Sequence, residues 1–192
     1  MDMLRILHLA DLHLDTPFKG VAAEAPELAK IFQDATLAVL ERAVEAALVR
    51  KQEGRLDAVV FAGDIFDHAS PSLRARGKFG DALKTLCESG LRCYIVAGNH
   101  DPFDDPALWR HQVNIPAGAH LFGPVWEVQE FKTDSGESCA FVGRSFSDTL
   151  NDRSALEGLE AVRSQLKSAA FSVGLLHGDV DVGDGLRLDA LG

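Results

Sequence analysis

Side chains that can bind a metal ion or transfer a proton occur in four short segments of this chain, each directly after an apolar run. The segments are ADLH (10–13), AGDIFDH (62–68), AGNHD (97–101) and LLHGD (175–179). Carboxylate, amide and imidazole groups together suit a borderline divalent ion such as manganese, iron(II) or zinc. A carboxylate can also bridge two ions about 3.5–4 Å apart, the separation that two-metal phosphoryl hydrolases use. Brought together, these segments would form a site for metal-assisted phosphoester hydrolysis.

The elements that precede these segments predict that the segments meet. Apolar strands are expected over 4–10, 56–62 and 92–97, and helical periodicity occupies 34–52 and 70–90. Strand, helix and strand in this order predict right-handed crossovers and a largely parallel sheet. The C-terminal ends of parallel strands share one edge, and ligands bind in the crevice there. The expected fold class is therefore α/β, with the metal site at the C-terminal strand ends.

The second half of the chain predicts further layers. VWEVQEF (125–131) and SCAFVGRSF (138–146) are expected to form an antiparallel pair, and a third helix is expected over 155–169. FSVGLLH (171–177) predicts another buried strand, which would carry His177 to the site. The sheets are thus expected to be mixed and layered with helices.

Composition favours one soluble domain over residues 1–192. The chain is 46% hydrophobic and 25% charged, and its apolar stretches fall short of the roughly 20 uncharged residues that cross a bilayer. Its 3 cysteines match neither a disulfide framework nor a zinc site, which indicates reduced thiols in the cytoplasm. The formal charge of −10 argues against tight DNA binding through basic side chains, although bound metal ions would offset it locally.

Each segment alone also has a simpler interpretation. Asp11 and His13 fit a loop start and a surface histidine, and a Gly-Asp pair such as the one at Asp64 is common in turns. His177 alone is more often structural than a ligand, whereas a turn does not need the histidine of GNHD. Because four strand ends all carry metal-type groups, the metal site is favoured jointly. His8, inside the first strand, is expected to be a packed core histidine.

In this order and at strand ends, DLH, GDIFD, GNHD and LLHGD resemble the motifs of the calcineurin-like metallophosphoesterases. ILHLADLHLDTPFKG (6–20), AGDIFD and GRSF (143–146) are similar to the SbcD/YhaO branch of that superfamily, the DNA-repair exonucleases. The resemblance runs from Leu4 to about His177. It implies a calcineurin-like fold and a metal-dependent hydrolase of phosphodiester bonds in DNA.

The resemblance also implies which residues hold metal ions. Asp11 and His13 would hold the first ion, and Asp64 would bridge both ions. Asn99 and His177 would hold the second ion. Two divalent ions are therefore implied, with manganese as the first choice and iron(II) or zinc as alternatives.

A catalytic pair is implied by the same resemblance. His100 would contact the scissile phosphate and help to protonate the leaving oxygen, while Asp101 would orient its imidazole. A positioned imidazole is the most common general acid in enzymes, so the chemistry of the residue agrees with the implied role.

One motif of the family is not found in this sequence. The motif is Gly-His-x-His, whose two histidines complete the metal shells, whereas here no histidine follows His177 before the end at Gly192. The expectation is a chain cut short of that motif and lacking the C-terminal part of the fold. Weakened metal affinity and little or no turnover by this chain alone would follow.

Three functions remain open on the sequence. The first is the catalytic domain of an SbcD/YhaO-type DNA exonuclease or endonuclease, with room for an SbcC-like coiled-coil ATPase as partner. The second is a general metallophosphoesterase for small phosphodiesters or phosphoproteins, which the acidic charge of −10 would suit. The third is a non-catalytic remnant that binds a partner, or a second copy of itself as a homodimer, through an exposed apolar face. None of the three involves a membrane.

Overall fold

The computed structural model of the chain describes residues 3–68, 71–104, 108–109, 113–147, 154, 156–181 and 187–189. The described α-helices all lie in the first half of the chain, where they alternate with three strands, and the other strands lie in the second half. The helices are α1 (Lys19–Glu24), α2 (Pro26–Gln52) and α3 (Leu73–Glu88), with 3₁₀ segments at Leu159–Ala161 and Arg163–Ser168. The strands are β1 (Ile6–Leu9), β2 (Ala58–Ala62), β3 (Arg92–Val96), β4 (Ala119–Leu121), β5 (Glu127–Lys132), β6 (Ser138–Gly143), β7 (Phe171–Leu175), β8 (Asp179–Asp181) and β9 (Arg187–Asp189).

Two sheets and a hairpin contain these strands. The first sheet is parallel throughout, in the order β1-β2-β3-β4. In the second sheet β5 pairs antiparallel with β6, and β6 pairs parallel with β7, while β8 and β9 form the antiparallel hairpin. The predicted α/β class, the parallel first sheet and the antiparallel pair are thus confirmed.

The first sheet lies between a layer of helices and the second sheet. Because side chains alternate between the two faces of a strand, β2 and β3 contribute to a core on each side. The helix-side core contains these buried residues, among others: Leu37, Leu40, Val59, Phe61, Phe79, Leu83, Leu86, Cys93 and Ile95. The core between the sheets contains Ala58, Val60, Ala62, Tyr94, Val96, Phe122, Phe141 and Leu175. This double covering holds the C-terminal ends of β2 and β3 rigidly at one edge.

The starts of both long helices differ from the prediction. Helix α2 begins at Pro26 rather than Asp34, with the proline in the first turn, where its missing N–H is not needed. Its first two turns bury Ala29 but expose Leu28 and Ile31, so the apolar periodicity used to locate the helix is weak there. Asp34, the first residue of the expected helix, therefore lies inside α2, where it pairs with Lys30 at 2.9 Å. Helix α3 is capped by Ser72, whose hydroxyl accepts from the Ala75 N–H at 3.0 Å.

The predicted helix over 155–169 is wrong. Two short 3₁₀ segments replace it, and Gly158 before the first has a left-handed backbone with φ of 85°. A residue in that conformation cannot continue an α-helix. Within the described part of the chain, no helix is both long and apolar enough to span a bilayer.

The first strand also differs from expectation. β1 is the outer strand of its sheet, and its residues are half-buried or exposed rather than buried. His8 in its middle is exposed, so the expected packing of this histidine in the core is wrong. Since only one side of an outer strand is covered by a neighbouring strand, an apolar pattern cannot distinguish it from a central strand.

Candidate metal centre

The segment after β1 is tied to the segment after β2 by a ladder of backbone hydrogen bonds. Asp11 N–H donates to Gly63 O at 3.2 Å, and His13 N–H donates to Asp64 O at 3.0 Å. The ladder places the side chains that follow the two strands next to each other. The sequence prediction that these strand ends meet holds in the structure.

Three of the site residues adopt an uncommon backbone conformation. Asp11, His13 and Asp64 have φ of 52°, 42° and 49°, in the left-handed region that residues other than glycine rarely occupy. Such backbone strain clusters at functional sites, where surrounding structure enforces it. The hydrogen-bonded ladder supplies that enforcement here.

The carboxylate of Asp64 lies at the centre of the cluster. Its Oδ2 lies 3.4 Å from Nε2 of His177, 3.9 Å from Nε2 of His13 and 4.0 Å from Nε2 of His100. The residue is only 4% exposed. Asp11 joins the group, since one ligand atom each from Asp11, His13 and Asp64 lies within 4.8 Å of the others. Side chains from the ends of β1, β3 and β7 therefore converge on one buried carboxylate at the end of β2.

The backbone of the loop after β3 lies within hydrogen-bond distance of this carboxylate. The N–H of His100 donates to Oδ1 of Asp64 at 3.1 Å, and Asn99 is buried beside it at 6% exposure. A Cβ atom at Gly98 would overlap the Asp64 carboxylate, and one at Gly63 would overlap the ring of His177. The two glycines are therefore required for close approach, in addition to the turn at Gly63, where φ is 86°.

Asp101 occupies a different place from the one expected. Its fully buried carboxylate accepts the N–H groups of Gly98 at 2.7 Å, Ile65 at 2.8 Å and Phe66 at 3.1 Å, and does not contact the imidazole of His100. Burial raises the pKa of Asp101 to about 7, although these N–H groups act to lower it. Asp101 thus joins the loops after β2 and β3, and its influence on His100 is through the backbone.

Asp67 holds the imidazoles of His13 and His100, a role that the sequence prediction missed. The Asp67 carbonyl lies 3.0 Å from Nδ1 of His100, and its carboxylate Oδ1 lies 3.3 Å from Nδ1 of His13. The rings of His13 and His100 meet edge to face with centroids 5.1 Å apart. The position of Asp67, three residues after Asp64 in GDIFD, was the available signal.

The charges of the site favour a cation. Burial raises the pKa of Asp64, but His177 and the N–H of His100 outweigh that effect and hold the pKa below its usual value. Burial likewise lowers the pKa of His177, yet Asp64, the Ala62 carbonyl and Asp11 raise it to about 9. In the metal-free protein a protonated His177 therefore compensates the buried carboxylate.

The donor set fits divalent metal ions. Nδ1 of His13 is buried and has no hydrogen-bond partner among the described residues, although Oδ1 of Asp67 lies 3.3 Å away. With Nδ1 facing Asp67 and Nε2 facing Asp64, His13 has the arrangement of a metal-bound histidine supported by a second carboxylate. Carboxylates, imidazoles and the Asn99 amide are ligands for a borderline divalent ion.

An open cavity of about 430 Å³ leads to this cluster. Its walls come from the ends of β1, β2, β3 and β7. The lining residues are His8, Ala10, Asp11, Ala62, Asp64, Asn99, His100, Leu176, His177 and Gly178. Of these, His8 was not predicted as a site residue, because its burial could not be judged from the strand pattern.

Comparison with known proteins agrees with this geometry. The model of the calcineurin-like phosphoesterase family matches residues 4–180. The chain is 30% identical to the uncharacterized metallophosphoesterase YhaO of Bacillus subtilis (strain 168), over 95% of this chain and 42% of that protein. It is 32% identical to the SbcD component of the nuclease SbcCD of Bacillus subtilis (strain 168), over 73% of this chain and 33% of that protein. With the DNA double-strand break repair protein Mre11 of Methanopyrus kandleri it shares 30% identity over 51% of this chain and 19% of that protein.

These relatives are longer than the chain, which spans less than half the length of each. The family match nevertheless covers all four polar segments, from ADLH to LLHGD. Strand ends, glycine contacts and the central Asp64 carboxylate all fall within it. The chain belongs to the calcineurin-like phosphoesterase family.

Proposed function

We propose that this chain is the phosphodiesterase domain of a DNA-repair nuclease of the SbcD/YhaO type. The observation that carries the proposal is the buried Asp64 carboxylate, with the Nε2 atoms of three histidines 3.4–4.0 Å from its Oδ2. Asp11 and His13 would hold one divalent ion, Asn99 and His177 the other, and Asp64 both. Manganese is the proposed ion, with iron(II) and zinc as the alternatives that the same ligands accept.

The metal ions, when bound, would supply positive charge to the phosphoryl group as negative charge develops on it. His100 is placed to move the proton. Its Nδ1 lies against the Asp67 carbonyl at 3.0 Å, which fixes Nδ1–H as a donor and leaves Nε2 toward the cavity. The side chain of His100 is 41% exposed, so it can reach a substrate and donate a proton from Nε2 to the leaving oxygen.

Asp67 and Asp101 position the catalytic imidazole in this proposal. Asp67 sets the ring orientation of His100 directly, whereas Asp101 fixes the backbone of the loop that carries it. Effective general acid catalysis requires the donor within hydrogen-bond reach of the leaving oxygen, so both supports contribute to the rate.

The DNA substrate and the partners rest on the relatives. Two of the matched proteins are by name a component of the nuclease SbcCD and a double-strand break repair protein. We propose by analogy that the protein cuts DNA in the cytoplasm, works with an SbcC-like ATPase and forms a homodimer. One observation favours a second candidate, a phosphoesterase of small diesters: the net charge of −10 opposes binding of a long polyanion.

Replacing Asp64 with alanine tests the metal site. The wild-type chain is expected to bind two manganese ions, with the weakened affinity that its sequence predicts, as measured by calorimetric titration. Asp64→Ala is expected to bind neither, because this carboxylate lies beside the ligands of both ions. Asp81→Ala, which removes the same charge from an exposed position of α3, is the matched control and should bind as the wild type does.

The outcome separates three cases. Equilibrium binding of two ions by Asp64→Ala, or of none by the wild type, would contradict the proposed metal site. Manganese-dependent cleavage of DNA by the wild-type chain supports the nuclease function. Cleavage of bis(p-nitrophenyl) phosphate without any cleavage of DNA favours the small-diester alternative.

Metal binding is expected to release a proton from His177. The pKa of this imidazole is about 9 in the metal-free protein, and a histidine must be neutral to bind metal. The raised pKa stabilises the metal-free fold fully below pH 6.5, its ordinary value, and that contribution is lost as the pH rises through about 9. Manganese affinity should therefore rise by about tenfold per pH unit toward pH 9.

Calorimetry in buffers of different ionisation enthalpy measures the release. About one proton per chain is expected at pH 7.5 in the wild type, and none attributable to this site in His177→Ala. An affinity that does not change between pH 7 and pH 9 would show that His177 is neutral before the metal arrives.

A further inference from the structure

His8 is the exception among the side chains on its face of β1. Ile6 and Ala10, two residues to either side and therefore on the same face, pack against the core between the sheets. His8 is exposed, although its register partner on β2, Val60, is only 3% exposed. The imidazole of His8 has no hydrogen bond or ion pair to any residue that the structure describes.

His8 nevertheless belongs to the cavity of the metal centre, which it lines together with Asp11, Asp64 and His177. In sequence, the last residue of β1, Ala10 and the left-handed turn at Asp11, where φ is 52°, separate it from the first of the proposed metal ligands. Among the described residues, two groups of possible metal ligands have atoms within 4.8 Å of one another: Asp11, His13 and Asp64, and His13, Asp67 and His100. His8 belongs to neither group. His8 therefore lines the cavity without belonging to either of these close groups.

The other lining residues of the cavity offer few polar side chains to a substrate. Apart from the proposed metal ligands and His100, the cavity is lined by His8, Ala10, Ala62, Leu176 and Gly178. Of these five described residues, only His8 has a side chain that can donate a hydrogen bond. This imidazole is therefore a donor that a second polar group of the substrate could use.

We infer that His8 is a specificity-determining residue that donates a hydrogen bond to the phosphate next to the scissile one, selecting oligonucleotides over simple phosphodiesters. The inference rests on the proposed function, because it takes the scissile phosphate to be held at Asp64. Hydrogen bonds to a charged group contribute more than those between neutral groups, so one such contact is enough for a measurable preference.

The test compares two probes on the full chain. Binding of the dinucleotide pTpT is measured by calorimetry in Ca²⁺, and hydrolysis of bis(p-nitrophenyl) phosphate is measured in Mn²⁺. His8→Ala is expected to weaken pTpT binding about tenfold, with hydrolysis of the aryl diester and manganese stoichiometry unchanged. His8→Gln, which keeps a donor, should restore part of the affinity, and His120→Gln, on β4 outside the cavity, should behave as the wild type.

Each other result has a defined meaning. Unchanged pTpT binding in His8→Ala, or no recovery in His8→Gln, would overturn the inference. Equal losses for pTpT binding and for aryl diester hydrolysis would also overturn it, since His8 would then support the whole centre. A wild-type chain that does not bind pTpT at all, despite binding manganese, would refute the proposed function and the inference with it.

Discussion

Gly98→Ala is expected to abolish metal-dependent hydrolysis and to weaken metal binding by at least a hundredfold. The new Cβ would overlap Oδ1 of Asp64 and lie 2.5 Å from the Asp64 backbone nitrogen. Neither atom can move freely, because Asp64 is buried and its backbone is part of the ladder to His13. The loop after β3 must therefore retreat, taking Asn99 and His100 with it. Forced displacement in a packed region also lowers the free energy of unfolding, by about 1–3 kcal/mol.

Gly77→Ala is the matched control. Gly77 lies inside helix α3, and a Cβ there would have no atom within 4 Å. Alanine is the better helix former, so this variant should be more stable than the wild type by about 0.5–1 kcal/mol, with metal binding unchanged. Manganese stoichiometry, urea denaturation and diester hydrolysis measure the pair. Full metal binding by Gly98→Ala would show that the loop tolerates displacement and that the close approach is not required.

Asp101→Ala is expected to be the most destabilising substitution at the site. Its carboxylate accepts three backbone N–H groups, from Gly98, Ile65 and Phe66, and is 0% exposed. Without it, three donors remain unpaired in the interior, each at a cost of about 1–3 kcal/mol. A loss of at least about 3 kcal/mol in the free energy of unfolding follows, whichever protonation state the carboxyl group has.

Urea denaturation at pH 7.5 measures this loss. Asp104→Ala, at an exposed position three residues later in the same loop, should change the free energy of unfolding by less than about 0.5 kcal/mol. If Asp101→Ala lost catalysis but kept wild-type stability, the carboxylate would act in the reaction rather than as the support of two loops. The two variants together therefore separate the catalytic role first expected for Asp101 from the structural one.

The position of the site was predictable because it follows from a rule about parallel sheets. Asp11, Asp64 and Asn99 follow strands of one parallel sheet, whose order brings them to one edge whatever the exact strand lengths. His177 follows β7 of the second sheet, so its arrival depends also on how the two sheets pack. The residue types then narrowed the chemistry to divalent metal ions. These inferences needed only local patterns and one general property of the fold.

The finer features depend on contacts that no local pattern contains. The exposure of His8 follows from the place of β1 at the outside of the sheet, which is a matter of strand order. The orientation of Asp101 toward Ile65 and Phe66 depends on the distance between two loops that are remote in sequence. The start of α2 was missed because its first turns bury few side chains, so the apolar periodicity begins late.

The all-parallel first sheet has a consequence for how the chain folds. Parallel neighbours cannot be joined by a tight turn, so each pairing in β1-β2-β3-β4 closes a long loop before its contacts form. Proteins rich in such distant contacts fold slowly, because the entropy of loop closure is lost first. Asp11 and His177 meet only after both sheets have been assembled. Metal ions added to the unfolded chain should therefore leave the folding rate almost unchanged and slow only unfolding, since their binding site does not exist before the last pairing is made.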